Sequence, residues 1–284
     1  SVVGGSSPPG ILFDAIGHRI QAAHKSTSGG SFTWVLEVTS SNGVSGTKSF
    51  TVGGFIDSYN AMVADFNPWA FYKMDDAGGA IVGDSSGNNR PANITGTASQ
   101  ITFGQPPLHL GSDNSILLGG ARAVPPSYTA GDAGTNKLSF VLFFKTTYTS
   151  LSQLISADGG VRQWQWRLNG GAVELITFIP TFAEVFSHTG GYNDGLPHMA
   201  VMVLDETLPP SDGIIKIYMD GALVISTTAA HRLEQGKVVP WSIGSRNSSS
   251  NSEYFRGNID SVSIFKAALT PLQVMALWES RDMA

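Results

Sequence analysis

Residues 137–147, KLSFVLFFKTT, limit what this chain can fold into more than any other stretch. Strand alternation places Leu138, Phe140, Leu142 and Phe144 on one face and Val141 and Phe143 on the other. A strand apolar on both faces must be covered on both. HMAVMVL, residues 198–204, reads the same way. VRQWQWRL alternates strictly instead, with Trp164 and Trp166 on one side and Gln163, Gln165 and Arg167 on the other. Charged residues make up only 14% and glycines number 33, which favours short strands and tight turns over helices.

Asp220-Gly221 suits a two-residue type I′ turn. Its register would pair Met219 with Ala222, Tyr218 with Leu223 and Ile217 with Val224, giving one apolar face of Ile215, Ile217, Met219, Ala222 and Val224. A second hairpin is expected over residues 31–52, with alternating Phe32, Trp34, Leu36 and Val38 and a turn at Asn42-Gly43. The stretch RGNIDSVSIFKAALTPLQVMALW begins as a strand, and simple alternation puts Asp260 on the face of Val262 and Ile264. A carboxylate there must be paired, hydrogen-bonded or bound to a cation. Thr270, Pro271 and Gln273 form a capping-box pattern. The short helix that follows, with a stripe of Leu272, Met275, Ala276 and Leu277 or Trp278, is expected to close one end of a sandwich.

Net charge is −5 with no Lys/Arg run, so nothing points to nucleic acid or an anionic membrane. Absence of cysteine excludes disulfides, thiolate catalysis and Cys-based zinc sites. No apolar run reaches the ~20 residues of a membrane span. The opening SVVGGSSPPG has neither the charged region nor the apolar run of a signal peptide, and no initiating Met, so the chain is expected to be a fragment or processed product.

Two resemblances organise the chain. SVVGGSSPPGILFDAIGHRI with GGSFTWVLEVTSSNGVSGTKSFTV resembles the second half of an immunoglobulin-like domain of bacterial surface and phage tail proteins. That domain needs about 100 residues, so residues 1–53 would be a partial one with open strand edges, followed by a linker at 54–66. Residues 67–284 resemble the laminin-G / concanavalin A-like jelly roll of bacterial and phage proteins. The motifs that carry this are YNAMVADFNPWAFYKMDDAGGAIVGDSSGNN, LSFVLFFKTT, IKIYMDGALVIST and FRGNIDSVSIFKAALTPLQV. LPHMAVMVLDE departs from the family's Trp-His-His at Leu196 and Pro197. The implied fold is all-β: an antiparallel concanavalin A-like sandwich with a short C-terminal helix.

The resemblance implies one calcium ion near the closing strand. Asp260 carries over first, with Asp75 or Asp76 as partner and Asp84 with Asn88 as further oxygen ligands. The competing reading has Asp260 accepting backbone amides or hydroxyls and Asp84 capping a turn. The resemblance also implies glycan binding. Gln163, Gln165 and Arg167 would line the sheet surface opposite the two tryptophans, which read as core. Tyr192, Asn193, Asp194, Arg246 and Asn247 are loop candidates, although SRNSSSNSEYF also reads as a solvated loop.

A polysaccharide hydrolase needs two carboxylates flanking the scissile bond. Glu174, Glu184, the oppositely directed Asp205-Glu206 pair and the turn residue Asp220 do not form such a pattern, and no Ser/His/Asp arrangement can be assembled on spacing. The expected role is therefore a non-enzymatic surface or glycan-binding module of a phage tail, virion appendage or bacterial surface protein. Its partners would be a cell-surface glycan or other virion subunits, in an oligomer or larger assembly, on a virion or cell surface. Two alternatives stand beside it: a structural virion subunit with no glycan ligand, and an accessory domain of a polysaccharide-degrading enzyme.

Overall fold

The computed structural model describes residues 11–14, 19–22, 31–39, 45–53, 58–129, 137–158, 162–179, 182–207, 215–227, 238–239, 241–246 and 253–282. Near the N-terminus, β1 (Ile11–Asp14) pairs with β2 (Arg19–Ala22), and β3 (Ser31–Thr39) pairs with β4 (Ser45–Gly53), each as an antiparallel two-stranded sheet. The β3–β4 ladder agrees with the hairpin expected there; its Asn42-Gly43 turn lies outside the described residues.

Helix α1 (Tyr59–Asp65) opens the sandwich. Then come β5 (Ala70–Tyr72), β6 (Ile81–Val82), β7 (Ala92–Thr95), β8 (Ile101–Gln105), β9 (Ser115–Gly119), β10 (Arg122–Val124) and β11 (Tyr128–Thr129). The central strands are β12 (Lys137–Lys145), β13 (Ser152–Asp158), β14 (Arg162–Asn169), β15 (Ala172–Ile179), β16 (Phe182–Thr189) and β17 (His198–Asp205). The chain closes with β18 (Ile215–Met219), β19 (Ala222–Thr227), β20 (Val238–Val239), β21 (Ser242–Ile243), β22 (Arg256–Phe265) and helix α2 (Pro271–Ser280).

Two antiparallel sheets stack face to face. The front sheet runs β16-β15-β14-β13-β21-β10-β7-β6; the back sheet runs β19-β18-β17-β12-β22-β9-β8, with β5 also on β22. Between them lies the main core. Phe140, Leu142, Phe144, Ala200 and Met202 enter it from the back, and Trp164, Trp166, Leu168 and Leu175 from the front. The period of two in β14 is thereby realised, with both tryptophans inward.

A second apolar layer explains the doubly apolar strands. Val141, Phe143, Met199, Val201 and Val203 point out of the back sheet and are covered by Tyr59 and Val63 of α1 and Val274 and Leu277 of α2. Helix α2 starts on the anticipated capping box, with Thr270 Oγ1 accepting from the Gln273 N–H. It lies on the outer face of the back sheet, not across an end of the sandwich. Its buried stripe is Val274 and Leu277; Leu272, Met275 and Ala276 are only half-buried. Helix α1 packs on the same face: Tyr59 is wholly buried, and Asn60 Nδ2 donates to the Gly111 carbonyl at 2.5 Å.

Two bulges shift the expected registers. In the β18–β19 hairpin Met219 faces Ala222 and Tyr218 faces Leu223, but Ile217 faces Ile225. The extra residue buries Ile225; Ala222, although paired with Met219 as expected, is exposed. In β22, Phe143 faces Asp260 while Val141 faces Ser263, with Ser261 at φ +48°. This bulge flips the alternation. Ile259, Val262 and Ile264 enter the main core, while Asp260 sits opposite Phe143 in the helix-covered layer. Asp260 therefore does not share the face of Val262 and Ile264.

Candidate functional site: a recessed polar strip on the front sheet

With Trp164 and Trp166 turned inward, Gln165 and Arg167 point outward from the front sheet. Register extends each into a row: Gln153, Arg167 and Glu174 stand side by side on β13, β14 and β15, and so do Ser156, Gln165 and Ile176. Side chains on an outer sheet face normally meet water. Here Gln153 and Ser156 are fully buried, Gln165 is 2% exposed and Glu174 8%. Part of the cover comes from the segment after β21. Ser156 Oγ donates to the Ser245 carbonyl (2.9 Å), and the Gln153 N–H donates to the Glu253 carbonyl (3.0 Å).

Two ion pairs flank the strip. Arg167 Nε and Nη2 each lie 2.8 Å from Glu174 Oε2, and Asn169 Nδ2 donates to Glu174 Oε1 at 3.0 Å. At the other end Arg246 Nη1 is 3.4 Å from Glu253 Oε1. Gln153 Nε2 joins the two halves, donating to Glu253 Oε2 (2.5 Å) and to Gln165 Oε1 (3.3 Å). Gln153 Oε1 is buried and, among the described residues, meets no donor from this chain. A buried acceptor left unmade costs about 1–3 kcal/mol, which marks it as a place where a donor belongs.

The structure thus brings together three of the sequence candidates, Gln165, Arg167 and Arg246, and adds Gln153, Glu174 and Glu253. The Arg167–Glu174 pair was legible in principle, since the two residues are equidistant from the Gly170-Gly171 turn. Gln153 and Glu253 are one hundred residues apart, and no local pattern announces their meeting. The Gln163 side chain and Asn247 lie outside the described residues.

Tyr192, Asn193 and Asp194 sit on a loop that abuts the β14–β15 turn, where the Tyr192 N–H donates to the Gly171 carbonyl. Tyr192 is buried, with its ring against His188 and His198 and unavailable as a stacking platform. Asp194 accepts from the Leu196 N–H (2.7 Å) and pairs with His198 Nε2 (3.2 Å). His198 Nδ1 is 2.8 Å from Asp220 Oδ2. Burial alone would depress the His198 pKa, but the two carboxylates outweigh it and hold the imidazole above its ordinary value.

The four acids proposed for calcium lie elsewhere. Asp84 Oδ1 accepts from the N–H groups of Phe71 and Ser86, and Oδ2 from that of Arg90. Burial works to raise its pKa, and these amide donors win, holding it below the usual range. Asn88 turns its Nδ2, a donor, toward the Pro68 carbonyl (3.0 Å). Asp76 accepts from the Gly83 N–H. Asp260 accepts from the Leu108 N–H (2.9 Å), Ser112 Oγ (2.8 Å) and Ser261 Oγ (3.0 Å). Burial pushes Asp260 up to about 6, those donors pull the other way, and the Asp75 charge adds to the rise. Calcium wants six to eight oxygens turned toward it. Here the oxygens of Asp84 and Asp260 are taken by N–H and O–H donors. Among the described residues no three of His, Cys, Asp and Glu form a metal-holding group. This donor set does not fit the ion.

Residues 118–275 match the model of the concanavalin A-like lectin/glucanases superfamily, and the chain belongs to that family. Among curated proteins none matches the chain. Solved structures share its fold at low identity. Domain 4 of AbnA, a GH43 extracellular arabinanase of Geobacillus stearothermophilus solved with arabinotriose, is 20% identical. That match covers 74% of this chain and 98% of the domain at a TM-score of 0.53. The sialidase of Trypanosoma rangeli is 14% identical, with 76% of this chain and 33% of the enzyme covered at 0.56. The receptor binding domain of botulinum neurotoxin mosaic serotype C/D is 15% identical, with 76% and 51% covered at 0.55. This chain therefore spans about a third of the sialidase and half of the toxin domain.

Proposed function

We propose that this chain is a non-enzymatic glycan-binding module of an extracellular or surface protein, with the front-sheet strip as its binding face. One observation carries the reading: Gln153, Gln165, Arg167 and Glu174 are recessed on an outer sheet face, while helices seal the outer face of the back sheet. Amides, guanidinium groups and carboxylates are what hydrogen-bond sugar hydroxyls. The arabinotriose held by the AbnA domain, and the receptor-binding role of the toxin domain, support the same reading. Glu174 and Glu253 are each engaged by an arginine, Glu174 by Arg167 and Glu253 by Arg246.

A phage tail, virion appendage or bacterial adhesin is the setting we favour. The β1–β2 and β3–β4 ribbons are sheets of two strands each, and two-stranded ribbons are marginal alone. Strands from a neighbouring subunit would complete them in an assembly. The test is a glycan array probed with the full chain, arabino-oligosaccharides included. Arg167→Ala is expected to weaken binding at least ~10-fold while the far-ultraviolet spectrum is kept. Binding indifferent to both Arg167→Ala and Gln165→Ala would remove the strip from the reading, and release of reducing sugar would overturn its non-enzymatic part.

A further inference from the structure

We propose that the strip selects uncharged saccharides and that Glu174 enforces the choice; this rests on the glycan reading above. An open guanidinium on a sheet face draws carboxylates. Arg167 is not open: Nε and Nη2 both meet Glu174 Oε2, and Glu174 Oε1 is fixed by Asn169. A uronate or sialate approaching Arg167 finds the guanidinium already paired with the Glu174 charge. At the far end Glu253 faces Arg246, and Arg122 Nη1 donates to the Arg246 carbonyl at 2.8 Å.

Among the described residues between these pairs, the recessed Gln153, Ser156 and Gln165 carry no charge, and Gln153 Oε1 is buried with no donor from this chain. A carboxylate only accepts and leaves that oxygen unmade; a hydroxyl donates and satisfies it. Beside the amides Ile176 lies next to Val185, which is 55% exposed, a small apolar ledge for the C–H face of a sugar ring. Paired charges, an acceptor that lacks a donor and an apolar ledge together describe a neutral, hydroxyl-rich ring.

The experiment compares neutral hexose and pentose oligosaccharides with uronate- and sialate-bearing ones on one array, using the full chain. Hits are titrated between about 0.05 and 0.5 M NaCl, a range over which exposed charge attraction is screened away. Neutral ligands alone should bind, with affinity constant within about 2-fold across that range. Glu174→Gln, which uncovers Arg167, should improve binding of acidic ligands by about 10-fold. Should that variant fail to fold, the uncharged double variant Arg167→Gln/Glu174→Gln must keep the neutral preference. Acidic ligands bound by the native chain and lost in salt would overturn the selection and leave the glycan reading standing. Silence to every glycan would overturn both.

Discussion

His198 Nδ1 lies 2.8 Å from Asp220 Oδ2, which ties the start of β17 to the tip of the β18–β19 hairpin. Asp220 Oδ1 also accepts from the Met199 N–H, and Asp194 meets the other ring nitrogen. The folded pKa of His198 is raised above its unfolded value. Stability from this clamp is therefore complete below about pH 6.5 and is lost as pH rises through the raised value. His198→Gln should cost on the order of 1 kcal/mol at pH 6 and far less at pH 9. Urea midpoints at the two pH values check this; an equal loss at both would show that the clamp carries no charge.

A second imidazole works in the opposite sense to its acidic neighbour. The Gly111 N–H donates to His109 Nδ1, so the proton sits on Nε2, which donates to Ser261 Oγ at 2.8 Å; Ser261 in turn donates to Asp260. Burial lowers His109 to about 4 and raises Asp260 to about 6. Between pH 6.5 and 4 the native His109 binds fewer protons than the unfolded chain, so its share of stability falls as pH falls. Asp260 binds more, so its share rises. Each is worth on the order of a few kcal/mol, and the two act in opposite directions. Asp260→Asn should make stability drop more steeply than in the native chain from pH 6.5 to 4, and His109→Gln should do the reverse. Chemical denaturation at pH 7, 5.5 and 4.5 tests both; parallel curves would mean the chain of hydrogen bonds does not titrate.

Much of this architecture was legible because strand period and burial agree. Phe140 and Phe143 announced the two layers on either side of β12, and Trp166 announced which side of β14 was core. What escaped is what breaks the period. Ser261 at φ +48° inserts a bulge that no residue type there signals, and with it Asp260 changes faces. Ile225 replaces Val224 for the same reason. The candidate site divided similarly. Gln165 and Arg167 follow from the tryptophans beside them, whereas Glu253 reaches Gln153 only through the tertiary path of the chain after β21.

The closing-strand acid leads to a prediction about metal ions. Asp260 is shielded by Leu108, Ser112 and Ser261, and calcium could reach its oxygens only by displacing donors that already satisfy them. A site filled at a hundredfold excess over its dissociation constant adds about 2.7 kcal/mol, roughly 5–10 °C in a domain of this size. Millimolar calcium, or removal of traces with a chelator, is expected to leave the melting temperature unchanged. Asp260→Asn, which keeps an acceptor for the Leu108 N–H, should behave identically with and without the ion. A calcium-dependent rise of several degrees that persists in Asp260→Asn would move the ion to Asp75 and Asp76; one abolished by that substitution would mean the donors around Asp260 rearrange to admit it.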